Sequence, residues 1–314
     1  MKTVSDLPLR RLGKTNVMVT PVGIGGAALS HGYTTPSTDE DAVAAINRAA
    51  ELGIAYIDTS PGYGESERRI GLAFRNDGKL RHRFFLATKT GTGVRPKDYT
   101  ADWTYRSVEN SLKLFNTDWI DLLQIHDPAS LEAALAPDGA LAALRDLKEQ
   151  GVIKAIGLGV RSHDLLLQAI EHGDFDTILT YADFNLLRQT ARDKLFPAAE
   201  KHDLGIVLGS AIMFGMLSNR SEEKSRRYGL SDEELDRFRR LSQWARERNI
   251  KLMSLALQYC LRDPRVSVVV VGTRNVEQVE ELASSVLDPL PEGVWEELEE
   301  EEKARKPESR EASV

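Results

Sequence analysis

Cysteine is nearly missing from this 314-residue sequence: Cys260 is the single one, so no disulfide can form within the chain. It lies in the apolar stretch Leu255–Leu261, where a thiol reads as a small buried hydrophobe. Long apolar runs are missing too, and none reaches the ~18 residues of a membrane-spanning helix. Met1–Arg11 lacks the apolar centre of a secretory signal. Positive charge is in deficit: 41 Lys and Arg stand against 48 Asp and Glu, a net −7, which leaves no broad basic surface for nucleic acid. Glu296–Glu302 holds much of that acidity, so the body is nearer neutral. These absences lead us to expect a cytoplasmic protein with neither membrane nor nucleic acid as partner. The glycine-rich turn of an open dinucleotide-binding sheet is missing as well. Gly23-Ile24-Gly25-Gly26 is followed by Ala28 where that motif needs its third glycine.

What is present is a regular alternation of short β-branched runs and longer amphipathic runs. A small hairpin comes first, with Arg10–Arg11 and Val17–Thr20 flanking the turn Gly13-Lys14-Thr15-Asn16. Strands are expected at Pro21–Gly25, Ile54–Asp58, Phe84–Lys89, Ile120–Ile125, Ile153–Leu158, Thr177–Tyr181, Gly205–Leu208 and Val266–Val271. Helices are expected between them. The first opens at Thr38-Asp39-Glu40-Asp41, a Thr cap with acids in the first turn, and stops at Gly53. The others span Ser66–Arg75, Asp102–Phe115, Gly139–Gln150, Ser162–His172, Thr190–His202, Ser231–Arg248, Leu252–Leu261 and Val276–Val286. Eight strand–helix units in series point to an α/β fold, a closed (β/α)8 TIM barrel behind an N-terminal hairpin. The strands are near-continuous apolar runs, as parallel strands buried on both faces must be. Residues 1–306 are read as one barrel domain and Pro307–Val314 as a frayed tail.

In such a barrel, the C-terminal ends of the strands converge on one site. Reading those positions gives Asp58 after the second barrel strand and Tyr63 in the loop that follows. Lys89 ends the third strand, and His126 follows the fourth. Taken singly, a Lys or Asp at a strand end reads as a solvated loop residue, and a lone His as a structural one. Together at one face they make chemical sense. A free phenol, with a pKa near ~10, is a poor acid–base catalyst at neutral pH. A neighbouring ammonium such as Lys89 favours the phenolate. Asp58 can hold and orient Lys89, and His126 can hydrogen-bond the substrate oxygen or tune the phenol from the other side. This is a proton donor matched to a developing alkoxide, as reduction of a carbonyl by hydride requires.

The run Ile57-Asp58-Thr59-Ser60-Pro61-Gly62-Tyr63-Gly64, with Ser66-Glu67 after it, resembles the signature of the aldo-keto reductases. So do Ser107-Val108-Glu109-Asn110-Ser111-Leu112, Trp119 to His126, Gly205–Leu217 and Val271-Gly272-Thr273-Arg274. The likeness covers about residues 8–287. It implies an NAD(P)-dependent oxidoreductase, with NADP the expected cofactor and NAD the alternative, acting on an aldehyde, ketone or sugar lactol and requiring no metal. It places the catalytic tetrad on Asp58, Tyr63, Lys89 and His126. Cofactor contacts then fall on Gly26, Arg161, Ser162, Tyr181, Gly209, Ser210, Gly272, Thr273, Arg274, Gln278 and Glu281. His126-Asp127-Pro128, and Asp174-Phe175-Asp176 leading to Asn185-Leu186-Leu187, are similar to the branch that oxidises aldoses of the galactose, fucose and arabinose type.

The chain departs from the family pattern at the nicotinamide end. Arg161-Ser162 replaces a Ser-Asn pair, Tyr181 replaces a glutamine, and Gly209 stands where an aromatic commonly stacks, with the expected Ser210 after it. Tyr181 offers a substitute stacking face. Arg161 has two candidate partners, an anion of cofactor or substrate and a neighbouring acid such as Asp183. At the adenosine end Gly272-Thr273 and Gln278 replace a Lys-Ser pair and an arginine. Arg274 could bind a 2′-phosphate at the helix start, or sit among Glu277, Glu280 and Glu281 on an exposed helix cap. A non-catalytic, cofactor-bound partner subunit on the same barrel is the alternative function. An unrelated barrel enzyme, such as an isomerase using Gly209-Ser210 and Gly272-Thr273 as a phosphate cup, is a third reading.

Overall fold

A computed structural model describes residues 2–30, 38–218 and 229–303. Two short strands, β1 (Arg10–Arg11) and β2 (Met18–Val19), pair antiparallel, and Asn16 between them takes the left-handed conformation a tight turn needs (φ 57°). Eight parallel strands follow: β3 (Val22–Gly25), β4 (Tyr56–Asp58), β5 (Phe85–Thr90), β6 (Ile120–His126), β7 (Ile153–Gly159), β8 (Thr177–Tyr181), β9 (Gly205–Gly209) and β10 (Val266–Gly272). β10 pairs with both β9 and β3, which closes the barrel. Around it run α1 (Asp39–Glu51), α2 (Ser66–Asn76), α3 (Ala101–Phe115), α4 (Glu132–Leu135), α5 (Ala140–Glu149), α6 (His163–His172), α7 (Leu195–Lys201), α8 (Asp232–Glu247), α9 (Leu252–Arg262), α10 (Val276–Leu287) and α11 (Val294–Lys303). No described helix is long and apolar enough to cross a membrane.

The α/β-barrel reading of the sequence therefore holds, strand for strand, with ends displaced by one or two residues. Two elements differ. The helix expected from Thr190 begins only at Leu195. Pro197 is the reason: in a helix begun at Thr190 it would sit mid-helix, without an N–H and against the carbonyl four residues back, whereas a first turn accepts it. The acidic run Glu296–Glu302 falls wholly within α11, whose Val294 and Leu298 are buried against α8 and α9. The proposed frayed segment Pro307–Val314 lies outside the described residues.

Side chains along a strand alternate between two faces, and in a barrel one face is the inside. Ile57, Leu86, Leu123, Ile156, Ile178, Ile206 and Val269 point outward into the main core beneath the helices. Their neighbours Tyr56, Ala87, Leu122, Ala155, Leu179, Val207 and Val268 form a separate interior cluster. Leu12 and Val19 of the hairpin join that cluster and plug the barrel's N-terminal end. Full burial of Leu12 stabilises by roughly 1.5–3 kcal/mol. Two residues further along each strand the same inward parity reaches Asp58, Lys89, Gln124, Tyr181 and Gly209. The interior is thus sealed by hydrocarbon below and lined by polar groups above.

α2 carries the loop of Tyr63 into the helical layer and is fixed at two points. Gly71 rests on the last turn of α3, where a Cβ would lie 1.8 Å from Leu114 O. Glu67, 1% exposed, accepts hydrogen bonds from Thr88 Oγ1 (2.6 Å) and Ser111 Oγ (3.0 Å), tying α2 to β5 and α3. Burial pushes its carboxyl up to about 7, against the pull of those two hydroxyls and of the Lys89 charge.

Two stability predictions follow from these contacts. Gly71→Ala, a change that would normally favour a helix, should destabilise by about 1–3 kcal/mol through overpacking, while Gly78→Ala, with open space around its Cβ, should be near neutral. Urea unfolding of the pair checks this, and equal midpoints would contradict it. For Glu67 the folded pKa lies above the ordinary one, so its stabilising contribution is complete below the unfolded pKa of ~4.3 and is lost as pH rises through about 7. Between about pH 5 and pH 8, wild type should lose on the order of 2–3 kcal/mol relative to Glu67→Gln. A constant difference across that range would show that Glu67 does not titrate there.

Candidate active site

The polar layer at the upper end of the barrel is built around Lys89. Its side chain is 1% exposed and ion-paired with Asp58, itself 5% exposed, from the neighbouring strand. Lys89 Nζ also donates to the carbonyl of Thr59 at 2.7 Å. The second carboxylate oxygen of Asp58 accepts from Gln124 Nε2 at 2.7 Å. Lys89 and Gln124 are register partners on β5 and β6, so both inward side chains meet Asp58. Gly157 on β7 leaves the space this needs, since a Cβ there would come within 2.9 Å of Gln124 Cγ. An ammonium and a carboxylate buried together offset part of each other's desolvation, and each is left with a hydrogen-bond partner on its other side.

The β4–α2 loop folds back over this pair. Ser60 Oγ accepts from the Gly62 N–H (3.1 Å) and lies 3.0 Å from Thr92 Oγ1. Both hydroxyls lie 3.1 Å from His126 Nδ1. Tyr63 is thereby brought edge-on to the His126 ring, with centroids 5.7 Å apart at 90°. Lys89 Nζ lies 5.1 Å from the Tyr63 ring centroid. All four residues of the expected tetrad, from three strand ends and one loop, thus form one cluster. Burial, followed by the charges of Lys89 and Lys97, holds His126 well below the ordinary histidine range, so its imidazole is neutral at neutral pH.

At the rim, Tyr181 on β8 is the register partner of Gly209 on β9, and a Cβ at 209 would lie 3.0 Å from Tyr181 Cβ. The missing aromatic at 209 and the added one at 181 are therefore adjacent, and the ring has moved one strand across. Tyr181 Oη donates to Asp127 Oδ1 at 3.3 Å. Burial and the Asp127 charge push the Tyr181 phenol up to about 12. In Asp183, one candidate partner of Arg161, Oδ2 meets His163 (2.7 Å) and Thr180, while Oδ1 is buried. Arg161 is exposed, and the neighbouring Ser162 caps α6 by accepting from the Leu165 N–H (3.4 Å). Ser210 follows Gly209 in the left-handed conformation (φ 54°).

The other expected cofactor contacts gather at the end of β10. Gly272 is exposed, and Thr273 is 1% exposed with its Oγ1 buried and without a hydrogen-bond partner. Asn275 caps α10 by accepting from the Gln278 N–H, and Gln278 Oε1 accepts from the Arg274 N–H, both at 3.1 Å. Of the nearby acids, Glu280 is paired with Arg48 (2.8 Å), while Glu281 is exposed. Across the mouth Gly26 is pressed against the β4–α2 loop, where a Cβ would lie 2.5 Å from both Thr59 Oγ1 and Ser66 Oγ.

Sequence reasoning missed Gln124, Ser60, Thr92 and Asp127. Gln124 carried a signal: it is the one amide in an apolar strand and shares inward parity with His126. Ser60 and Thr92 carried none, because their role depends on a loop reaching across to a histidine 66 and 34 residues away.

Comparison with known proteins bears on this geometry. Residues 21–303 match the model of the aldo/keto reductase family. Among curated proteins the chain is 31% identical over 306 residues to a D-threo-aldose 1-dehydrogenase from a Pseudomonas species, covering 88% of this chain and 92% of the relative. It is 30% identical over 292 residues to an L-galactose dehydrogenase of Arabidopsis thaliana, covering 91% and 90%. Among solved structures it superposes on an aldo-keto reductase from Bacillus halodurans in its holo form, with a TM-score of 0.77 and 25% identity, over 96% of this chain and 97% of that one. The barrel and the likeness along nearly its whole length lead to one assignment: the chain belongs to the aldo/keto reductase family and is an NAD(P)-dependent oxidoreductase that interconverts a carbonyl and an alcohol.

Proposed function

We propose that the upper mouth of the barrel is the reaction site, that Tyr63 carries the proton, and that the substrate is an aldose in its lactol form, oxidised to the lactone. The observation that carries this reading is the buried Lys89–Asp58 pair with its ammonium 5.1 Å from the Tyr63 ring. A positive charge fixed there stabilises the phenol oxygen as its proton leaves, and Asp58 and Gln124 keep that charge in place. Neutral His126 completes the arrangement. A hydroxyl proton from Ser60 or Thr92 on Nδ1 leaves the ring proton on Nε2, a neutral donor for the reacting oxygen. In lactol oxidation Tyr63 removes the hydroxyl proton, and in aldehyde reduction it returns one. The similarity to two aldose dehydrogenases supports the sugar class.

The residues at the mouth fit a dinucleotide. The orphaned Thr273 Oγ1, exposed Gly272 and the capped start of α10 offer a polar donor, close backbone approach and a positive helix end. Arg274 opens that segment and would hold a 2′-phosphate, which favours NADP over NAD. Tyr181, Gly209 and Ser210 would take the nicotinamide end. When bound, the nicotinamide accepts the hydride from the alcohol or gives one to the carbonyl.

Two substitutions test these roles. Tyr63→Phe should lower turnover by roughly 10²–10⁴-fold and leave cofactor affinity, read by fluorescence titration, within about threefold, because the phenol acts on the proton. A turnover loss under about threefold would mean that another group moves the proton. Arg274→Ala should weaken NADP binding at least about tenfold and spare NAD, as loss of one charge-assisted contact predicts. An equal response of the two cofactors would show that Arg274 does not read the phosphate.

A further inference from the structure

One carboxylate at the mouth has no part in the proton chemistry above. Asp127 follows His126 directly, in the left-handed region (φ 46°). A non-glycine residue in that region is held against strain by what surrounds it, and aspartate bears it better than most. Here the holding is by the backbone. The Asp127 N–H donates to Gly159 O (2.8 Å), and its carbonyl accepts from Tyr99 Oη (2.9 Å) and Lys97 Nζ (2.8 Å). Three contacts, one from β7 and two from the β5–α3 loop, fix the main chain and turn the side chain toward the Tyr63–His126 cluster. Its Oδ2 lies 3.6 Å from His126 Nε2, beyond hydrogen-bond length, and its Oδ1 takes only the long 3.3 Å bond from Tyr181. An ionised carboxylate has about four acceptor positions, so most of this one's capacity is unspent, and its side chain is 33% exposed at the rim.

We propose that Asp127, steadied by Tyr181, is the specificity-determining residue that reads a substrate hydroxyl on the carbon next to the reacting one. The inference rests on the reading of the mouth as the reaction site. A reacting oxygen held by His126 Nε2–H has its vicinal hydroxyl beside Asp127 Oδ2, because two oxygens on adjacent carbons span a comparable gap. The carboxylate accepts that hydroxyl's proton in a charge-assisted hydrogen bond, which an aldehyde without a neighbouring hydroxyl cannot offer. With such a substrate the carboxylate is desolvated and left unpaired, so selection is both for polyhydroxy carbonyl compounds and against bare ones. Tyr181 makes the arrangement directional: its Oη occupies Oδ1 and leaves Oδ2 turned to the substrate. The aromatic displaced from β9 to β8 thereby gains a task at the sugar end of the site.

The test compares kcat/KM for an aldose with kcat/KM for benzaldehyde, a carbonyl compound with no hydroxyl, in wild type, Asp127→Asn, Asp127→Gly and Tyr181→Phe. Asparagine and glycine both tolerate the left-handed backbone, so the fold at 127 is kept and far-ultraviolet circular dichroism verifies it. Both Asp127 variants should lower the aldose-to-benzaldehyde ratio by roughly 10–100-fold, mostly through the KM of the aldose, and Tyr181→Phe should lower it by roughly 3–10-fold. An equal fall for both substrates would overturn the proposal, since Asp127 would then be acting through His126. A ratio moving by less than about threefold in the Asp127 variants would overturn it as well. Wild type that turns over benzaldehyde but no aldose would refute the hydroxyl reading and leave the Tyr63 assignment standing, whereas wild type inactive on both with either cofactor would remove the underlying reading of the site.

Discussion

The buried ion pair between Lys89 and Asp58 is the interaction on which the upper half of the barrel depends. Two charges with almost no solvent access are tolerable only while each has the other and a second partner, here the Thr59 carbonyl for the ammonium and Gln124 for the carboxylate. Removing either charge would leave the other buried and unpaired, at a cost of about 3–5 kcal/mol. The same two partners shape the cluster around it, because Thr59 begins the loop that carries Tyr63 and Gln124 stands one inward step below His126. The stability of the pair and the placement of the proposed proton donor therefore draw on the same hydrogen bonds, with the Lys89 ammonium 5.1 Å from the Tyr63 ring centroid.

That arrangement is possible because the barrel interior is divided. Below the ion pair the inward positions are apolar apart from the Tyr56 hydroxyl, and are closed off by Leu12 and Val19 of the hairpin. Water therefore has no route to Lys89 from that side, and the low-dielectric floor strengthens each electrostatic contact above it. Outside the strands, Glu67 ties the helix after the Tyr63 loop to β5 and α3. The β4–α2 loop is thus held from within the barrel by Lys89 and from outside by Glu67.

The rim carries this chain's individual features. With Gly209 where an aromatic is common, and Tyr181 on the adjoining strand, a ring is kept at the mouth while its hydroxyl meets Asp127. The left-handed backbone at Asp127, pinned by Tyr99 and Lys97, turns a carboxylate inward beside His126. Tyr181 and Gly209 close their strands, and Asp127, Tyr99 and Lys97 lie on two connections, so these features sit at the C-terminal rim where a barrel of this kind varies.

The sequence by itself determined the fold and which four side chains would gather at one end of it. Eight apolar runs separated by amphipathic ones leave little choice but a parallel barrel, and strand ends in a barrel name the functional face; Asp58, Lys89 and His126 could be read from that alone. Alternation along β6 also made Gln124 legible, had inward parity been followed down from His126. Helix limits were less legible where one residue overrides a pattern, as Pro197 does, or where an acidic run such as Glu296–Glu302 conceals the buried Leu298, one turn after the buried Val294 that precedes the run. The remainder was decided by tertiary structure alone. Gln124 and Ser60 each reach a partner 66 residues away, and no local pattern encodes that distance. It is fixed by the register of neighbouring strands and by loops crossing the mouth. The same holds for the neutral state of His126, which follows from burial and two lysines on other segments, and for the meeting of Asp127 with Tyr181, 54 residues apart. Side-chain parity is a property of the local chain; which side chains face one another depends on strand registry and closure, which only the folded barrel supplies.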